Sequence, residues 1–249
     1  MLRKKLYTVF NKLHGSVLNI LFPIACISCG KDGKWICEDC TARVFIQNEH
    51  VCGVCEKVNT PDGKTCQKCK KKSALGALVA ATAYTNSLVI HAVHFYKYRF
   101  IPSLHVQLGD LMIKALQKTD IPLAELIVPV PLHPKRLRWR GFNQSSLLAK
   151  HIALNLLPQT QLELDEKALV RKKYTSPQMK INNFQHRKQN VRGAFCVVNP
   201  KKIKGKIILL VDDIATTGST IFECAQVLKN SGAKDIYAAV IARQEIKKH

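Results

Sequence analysis

The residues with the most chemical content lie in the run Ile207-Ile-Leu-Leu-Val-Asp-Asp-Ile-Ala-Thr-Thr-Gly-Ser-Thr220. Two adjacent carboxylates, Asp212 and Asp213, precede four hydroxyl residues, Thr216, Thr217, Ser219 and Thr220, grouped around Gly218. Carboxylates accept hydrogen bonds from sugar hydroxyls, directly or through Mg²⁺. A loop that opens a helix offers backbone N–H groups and the positive end of the helix dipole to a phosphate. Gly218 lets the backbone come close to such a ligand, and the hydroxyls add donors. Acids and hydroxyls in this order therefore suit a sugar phosphate. A plain strand-to-helix turn with a Ser/Thr cap is the bland alternative, but capping asks for one hydroxyl and no paired acids.

The flanking residues supply the elements that position this chemistry. Ile207–Val211 is an uncharged apolar run of strand length, as a strand buried on both faces requires. Ile221–Leu228 has helical spacing, so a helix is expected over Ser219–Asn230. A strand that ends in acids and turns through Thr-Thr-Gly-Ser-Thr into a helix resembles the 5-phosphoribosyl-1-pyrophosphate (PRPP) signature of type I phosphoribosyltransferases.

A second basic stretch follows another expected strand, Leu126–Pro131. The run Pro129-Val-Pro-Leu-His-Pro-Lys-Arg-Leu-Arg-Trp-Arg-Gly-Phe-Asn-Gln144 reads as a loop stiffened by three prolines. It carries Lys135, Arg136, Arg138 and Arg140, and arginine forks suit phosphate or pyrophosphate oxygens. A basic surface loop with no ligand is the alternative. Further strands are expected at Ala77–Tyr84, Ala194–Val198 and Ile236–Ala242. Helices are expected around Leu88–Tyr96, Pro102–Lys118 and Asn143–Asn155. Alternation of strand and helix implies an α/β fold with a parallel sheet flanked by helices, and such sheets bind ligands beyond the carboxyl ends of their strands.

Eight of the ten cysteines form four Cys-x-x-Cys knuckles: Cys26/Cys29, Cys37/Cys40, Cys52/Cys55 and Cys66/Cys69. Two such knuckles close a tetrahedral thiolate shell, so eight thiolates suit two structural Zn²⁺ ions. Pairing of neighbouring knuckles is simplest, and crossed pairing stays open. Disulfides are the alternative and would need an oxidising compartment. Cys196 and Cys224 fall in an expected strand and helix and read as core residues. The organisation expected is an amphipathic helical segment over 1–24, a double zinc ribbon over 25–72 and an α/β domain over 73–249.

The formal net charge is +22, and 130–206 alone holds 17 basic against 3 acidic residues. A field this large and one-signed attracts a polyanion, either nucleic acid or an anionic membrane surface. The run Phe95-Tyr-Lys-Tyr-Arg-Phe100 alternates rings with cations, which suits base stacking along a single strand. Helical periodicity offers burial of Phe95 and Tyr96 as the competing reading. No apolar run is long enough to span a membrane. The basic, apolar N-terminal stretch mimics a signal peptide, but Asn11, Lys12, His14 and Asn19 interrupt it. A packed amphipathic helix is expected there, with contact to a membrane surface as an alternative.

Taken in order, several motifs resemble the competence protein F (ComF) family. They are Leu-Phe-Pro before the first knuckle, Phe95-Tyr-Lys-Tyr98, Val-Pro-Leu-His-Pro with Arg-Gly-Phe-Asn-Gln, Arg171…Thr175…Gln178…Arg187, and the Asp-Asp…Thr-Thr-Gly-x-Thr run. The resemblance implies a type I phosphoribosyltransferase-like domain behind a double zinc ribbon, in a cytoplasmic protein handling incoming single-stranded DNA during natural transformation. It implies a helicase-like partner, while contact with the inner face of the cytoplasmic membrane is the alternative raised by the basic N-terminal stretch. It implies PRPP binding, with Mg²⁺, by Asp212, Asp213, Ala215, Thr216, Thr217, Gly218, Ser219 and Thr220, and pyrophosphate near Lys135, Arg136 and Arg140. Arg171, Thr175, Gln178 and Arg187 would belong to a loop that closes over the site. An active phosphoribosyltransferase acting on an unidentified acceptor is the alternative. Purine-salvage enzymes often hold an acid where this chain has Thr216, which weakens that alternative without excluding it.

Overall fold

The computed structural model describes residues 24–174 and 191–244. These form two compact units, one ending at Val44 and one beginning at Phe45. In the first unit the knuckles are Cys26/Cys29 and Cys37/Cys40, and the second runs into a short helix, α1 (Glu38–Ala42), that carries Cys40.

The second unit begins with the other two knuckles, a 3-10 turn at Pro61–Gly63 and α2 (Gln67–Lys70). Its centre is a parallel sheet of β1 (Ala77–Ala83), β2 (Leu126–Pro129), β5 (Ile207–Ala215) and β6 (Asp235–Arg243), in the order β1-β6-β5-β2. Strand side chains alternate between faces. One face presents Leu78, Ala80, Leu126, Val128, Ile208, Leu210, Ile236, Ala238 and Val240 to a core completed by Ile221, Cys224, Ala225 and Leu228. Those four lie on α8 (Ser219–Asn230). The opposite face packs on α4 (His105–Leu116) and α6 (Gln144–Asn155). Burial on both faces explains why β5 opens on five apolar residues.

Three features depart from the sequence expectations. The expected strand at Ala194–Val198 forms, as β4 (Phe195–Val197), but outside the main sheet. It pairs antiparallel with β3 (Leu169–Arg171), a strand too short to show a period. β5 also continues through the acids to Ala215, in register with β6 as far as Ala215↔Arg243. Finally, the basic stretch is not a loop. Residues Pro134–Arg140 form α5. Pro134 sits at its first turn, where no amide hydrogen is needed, and the His133 side chain accepts from Lys135 N at 3.2 Å. Gly141 ends it with φ +80°. One of the three prolines that suggested a loop, Pro134, starts a helix instead. The remaining α-helices among the described residues are α3 (Ser87–Tyr98), capped by Asn86, and the short α7 (Pro200–Ile203).

Candidate functional site

A cleft of about 800 Å³ opens beyond the carboxyl ends of β2 and β5. Asp212, Asp213, Thr216 and Thr220 line one side. Lys135, Arg136, Trp139 and Arg140 from α5 line another, together with Arg171 at the end of β3. Strand register brings the acids there, and the short helix of the Val-Pro-Leu-His-Pro segment carries the cations across from them. Of the residues expected to form the site, these eight charged and hydroxyl groups, Trp139 aside, share one cleft.

The others stand behind it. Ala215 is buried, and its carbonyl accepts from Gln244 N at 2.9 Å. Thr217 and Ser219 are buried and hydrogen-bond to each other at 2.8 Å, so their hydroxyls shape the turn. Gly218 caps α8 with φ +69°, and a Cβ there would lie 2.7 Å from the Phe222 ring. Glycine is thus required twice over, by conformation and by packing. The resulting turn aims the N-terminus of a twelve-residue helix past Thr216 and Thr220 toward the cleft. Thr175, Gln178 and Arg187 lie outside the described residues.

Successive strand residues point to opposite sides of the pleat, and the two acids find different partners. Asp212 accepts from Ser145 Oγ at 2.8 Å, and Asp213 pairs with Lys97 Nζ at 2.9 Å. Burial, then the neighbouring Asp213 charge, pushes the Asp212 carboxyl up from the usual carboxylate range to about 7. Burial pulls the Lys97 ammonium down, but Asp213 outweighs it and the net direction is upward. Burial likewise lowers Arg140 and Arg171, although both stay cationic.

Lys97 and Ser145 were not singled out as site residues from the sequence. A signal for Lys97 existed, because it stands four residues after Val93 on the buried stripe Val89, Ala92, Val93 and Tyr96. A lysine on an apolar helix stripe calls for a partner. Gln144 is a further unassigned lining residue. It is buried, its Oε1 accepts from Arg140 at 2.8 Å, and its Nε2 has no protein partner. Arg140 Nε is also buried without a partner. Both atoms belong to residues lining the cleft, as donors for a bound anion or carbonyl would.

The fit of Mg²⁺ can be judged from the acids. Asp213 already faces an ammonium, while Asp212 accepts from Ser145 and from the Asp213 amide. This donor set does not present an open carboxylate pair to a dication.

The aromatic run divides. Tyr96 is fully buried and donates its hydroxyl to Gln144 O at 2.9 Å, so burial wins for that ring. Tyr98 reaches the cleft, where Arg140 lies over it at 5.8 Å from the ring centroid. Phe100 is exposed and meets the exposed Trp139 edge-on at 5.2 Å. Tyr174 lies under Lys135 and Arg136 at 5.4 and 6.0 Å. Rings and cations therefore alternate along the α5 rim.

Each cysteine group gathers four Sγ atoms within 4.8 Å of one another: Cys26, Cys29, Cys37 and Cys40, and then Cys52, Cys55, Cys66 and Cys69. Neighbouring knuckles pair, and all ten cysteines are free of disulfides. Burial works against ionisation of Cys52, but amides of Cys66, Cys55 and Val54 outweigh it and bring the thiol down to about 7. Burial, then hydrogen bonds to Cys66 and Cys55, pushes Cys69 up to about 12. Four thiolates so close ionise together only around a cation, as two structural Zn²⁺ sites provide. With four protein ligands each, these sites leave no position for a reacting water.

Comparison with known proteins agrees with both parts. Residues 17–73 match the double zinc ribbon domain family, and 143–249 match the phosphoribosyl transferase domain family. The chain is 32% identical to the DNA utilization protein YhgH of Salmonella typhi over 84% of this chain and 90% of that one. It is 28% identical to competence protein F of Haemophilus influenzae, over 89% of this chain and 98% of the relative. It is also 28% identical to competence protein ComFC of Streptococcus pneumoniae, over 85% of this chain and 89% of the relative.

Proposed function

This chain belongs to the competence protein F family, and on that premise we propose that it handles incoming single-stranded DNA in the cytoplasm during natural transformation, with a PRPP-type ribose-phosphate site in its cleft. One observation carries the second half of this reading. The acid pair Asp212–Asp213 faces Lys135, Arg136, Arg140 and Arg171 across a single cleft at the carboxyl end of the sheet. Acids suit ribose hydroxyls, arginines suit pyrophosphate oxygens, and the α8 terminus suits the 5′-phosphate. A ligand with a sugar between two anionic ends answers all three.

The same residues define the chemistry the chain can perform. Arg136 and Arg140 hold the pyrophosphate, Asp212 and Asp213 fix the ribose, and the α8 turn anchors the far phosphate. Transfer to an acceptor would need a group to manage its proton, and Thr216 stands where some purine-salvage enzymes place an acid. Binding is therefore favoured over catalysis. No step here depends on Mg²⁺, which the acid pair does not fit.

DNA handling is supported by the 17 basic residues of 130–206 and by the exposed Phe100 and Trp139 beside Arg138 and Arg140. Cations take the phosphates and rings stack on bases. A helicase-like partner and contact with the inner membrane face belong to this proposal. None of the described helices is long and apolar enough to cross a membrane.

Fluorescence anisotropy with labelled single strands tests the DNA reading. Affinity should fall steeply with salt, with a log–log slope of about −0.7 per phosphate contacted. Trp139→Ala should weaken binding by roughly tenfold, the order expected for one stacked base. No measurable affinity at low salt would overturn it.

A further inference from the structure

Lys97 is the feature of the cleft that the phosphoribosyl reading does not use. Its ammonium lies 2.9 Å from Asp213 Oδ1, and both side chains are mostly buried. It reaches the acids from α3, whose neighbouring residues Val93 and Tyr96 are fully packed. The stem is thus held by the helix while the charged end lines the cleft. Two carboxylates and five cations, Lys97, Lys135, Arg136, Arg140 and Arg171, face this space, so it carries a positive excess without any metal. A dication approaching Asp213 meets an ammonium already in contact with that carboxylate, and like charges at such a distance repel strongly.

We propose that Lys97 is the resident cation of this site, neutralising Asp213 and meeting the ligand's anionic oxygens, so that a ribose phosphate of the PRPP class binds without requiring a divalent cation. Lys97 acts here as a positioning and specificity residue. The inference rests on the phosphoribosyl reading of the cleft. It predicts a ligand selected by its phosphates and sugar hydroxyls rather than by its metal complex.

The test is calorimetric titration of PRPP into the full chain, in metal-depleted buffer and in saturating Mg²⁺. The depleted buffer contains no chelator, so that cysteine-bound zinc stays in place. Wild-type affinity should differ by less than about threefold between the two conditions. Lys97→Met should bind at least about tenfold more weakly without Mg²⁺ and should recover when Mg²⁺ is added, because the carboxylates then have room for it. Lys97→Arg keeps the charge and should retain Mg²⁺-independent binding.

A wild-type protein that loses PRPP binding more than about tenfold without Mg²⁺ overturns the proposal whatever the variants do. A Lys97→Met protein that folds and binds like wild type in both buffers overturns it too. Absence of PRPP binding in every condition would sink the phosphoribosyl reading itself, and this inference with it.

Discussion

Asp212 gives the sharpest stability prediction. Burial and the Asp213 charge raise its carboxyl from 3.8 to about 7, so the folded chain keeps the proton to higher pH than the unfolded chain. The stabilisation is complete below about pH 4, where both states are protonated, and it fades as pH rises toward 7. Roughly two pH units of that window lie between pH 5 and 7, a ceiling of about 2.7 kcal/mol at about 1.4 kcal/mol per unit. Asp212 is only half-buried, and solvent screening halves the figure to about 1.5 kcal/mol. Asp212→Asn removes the proton equilibrium while its side-chain carbonyl still accepts from Ser145. Urea unfolding of both proteins from pH 5 to pH 8 is the assay. The variant should gain about 1.5 kcal/mol on the wild type across that range. The comparison cancels other titrations, including those of the zinc thiolates, because both proteins share them. A difference independent of pH, or one that moves the opposite way, would refute the reasoning.

Other perturbations separate the two cysteine groups and their roles. Gly63 has φ +66°, and a Cβ there would lie 2.2 Å from the Leu78 carbonyl oxygen of β1. Gly63→Ala should cost about 3 kcal/mol in thermal or urea unfolding, from positive φ plus overpacking. Gly30→Ala, at φ +77° with no atom within 4 Å, should cost about 1 kcal/mol. Cys52→Ser should lower zinc content and the unfolding temperature of the sheet together, since this cluster belongs to the same unit as β1. Cys26→Ser should lower zinc content while leaving the main transition in place. Arg243 is buried and bonds to Gly53 O at 2.8 Å and to the Glu56 carboxylate. Arg243→Met removes this buried charged contact and the bond to Gly53 O and should destabilise by about 3 kcal/mol, read by urea unfolding.

The residues that spoke clearly in the sequence were those with a period or a fixed spacing. The apolar run at Ile207, the four knuckles and the helical stripe of Ile221–Leu228 each specify a local structure without distant help. The order Asp-Asp…Thr-Thr-Gly-Ser-Thr fixed the acids at a strand end, although β5 pairs for four residues beyond Val211. Pro134–Arg140 misled because its one proline carries two meanings, breaker and helix starter, and only His133 and Gly141 decide between them. β3 and β4 span three residues each, too few to show alternation, so their separate pairing was not legible. Lys97 and Ser145 come to the acids from helices far away in sequence. Their role depends on packing between elements, and only the stripe position of Lys97 hinted at it.

The central claim is that the cleft holds a ribose phosphate between Asp212–Asp213 and the α5 cations. Calorimetric titration of PRPP into the wild type and into the Asp212→Ala/Asp213→Ala double variant tests it most directly. The account predicts saturable binding at one site per chain in the wild type and its loss in a double variant that keeps its zinc and its sheet. Undiminished binding by that variant, or none by the wild type, would contradict it.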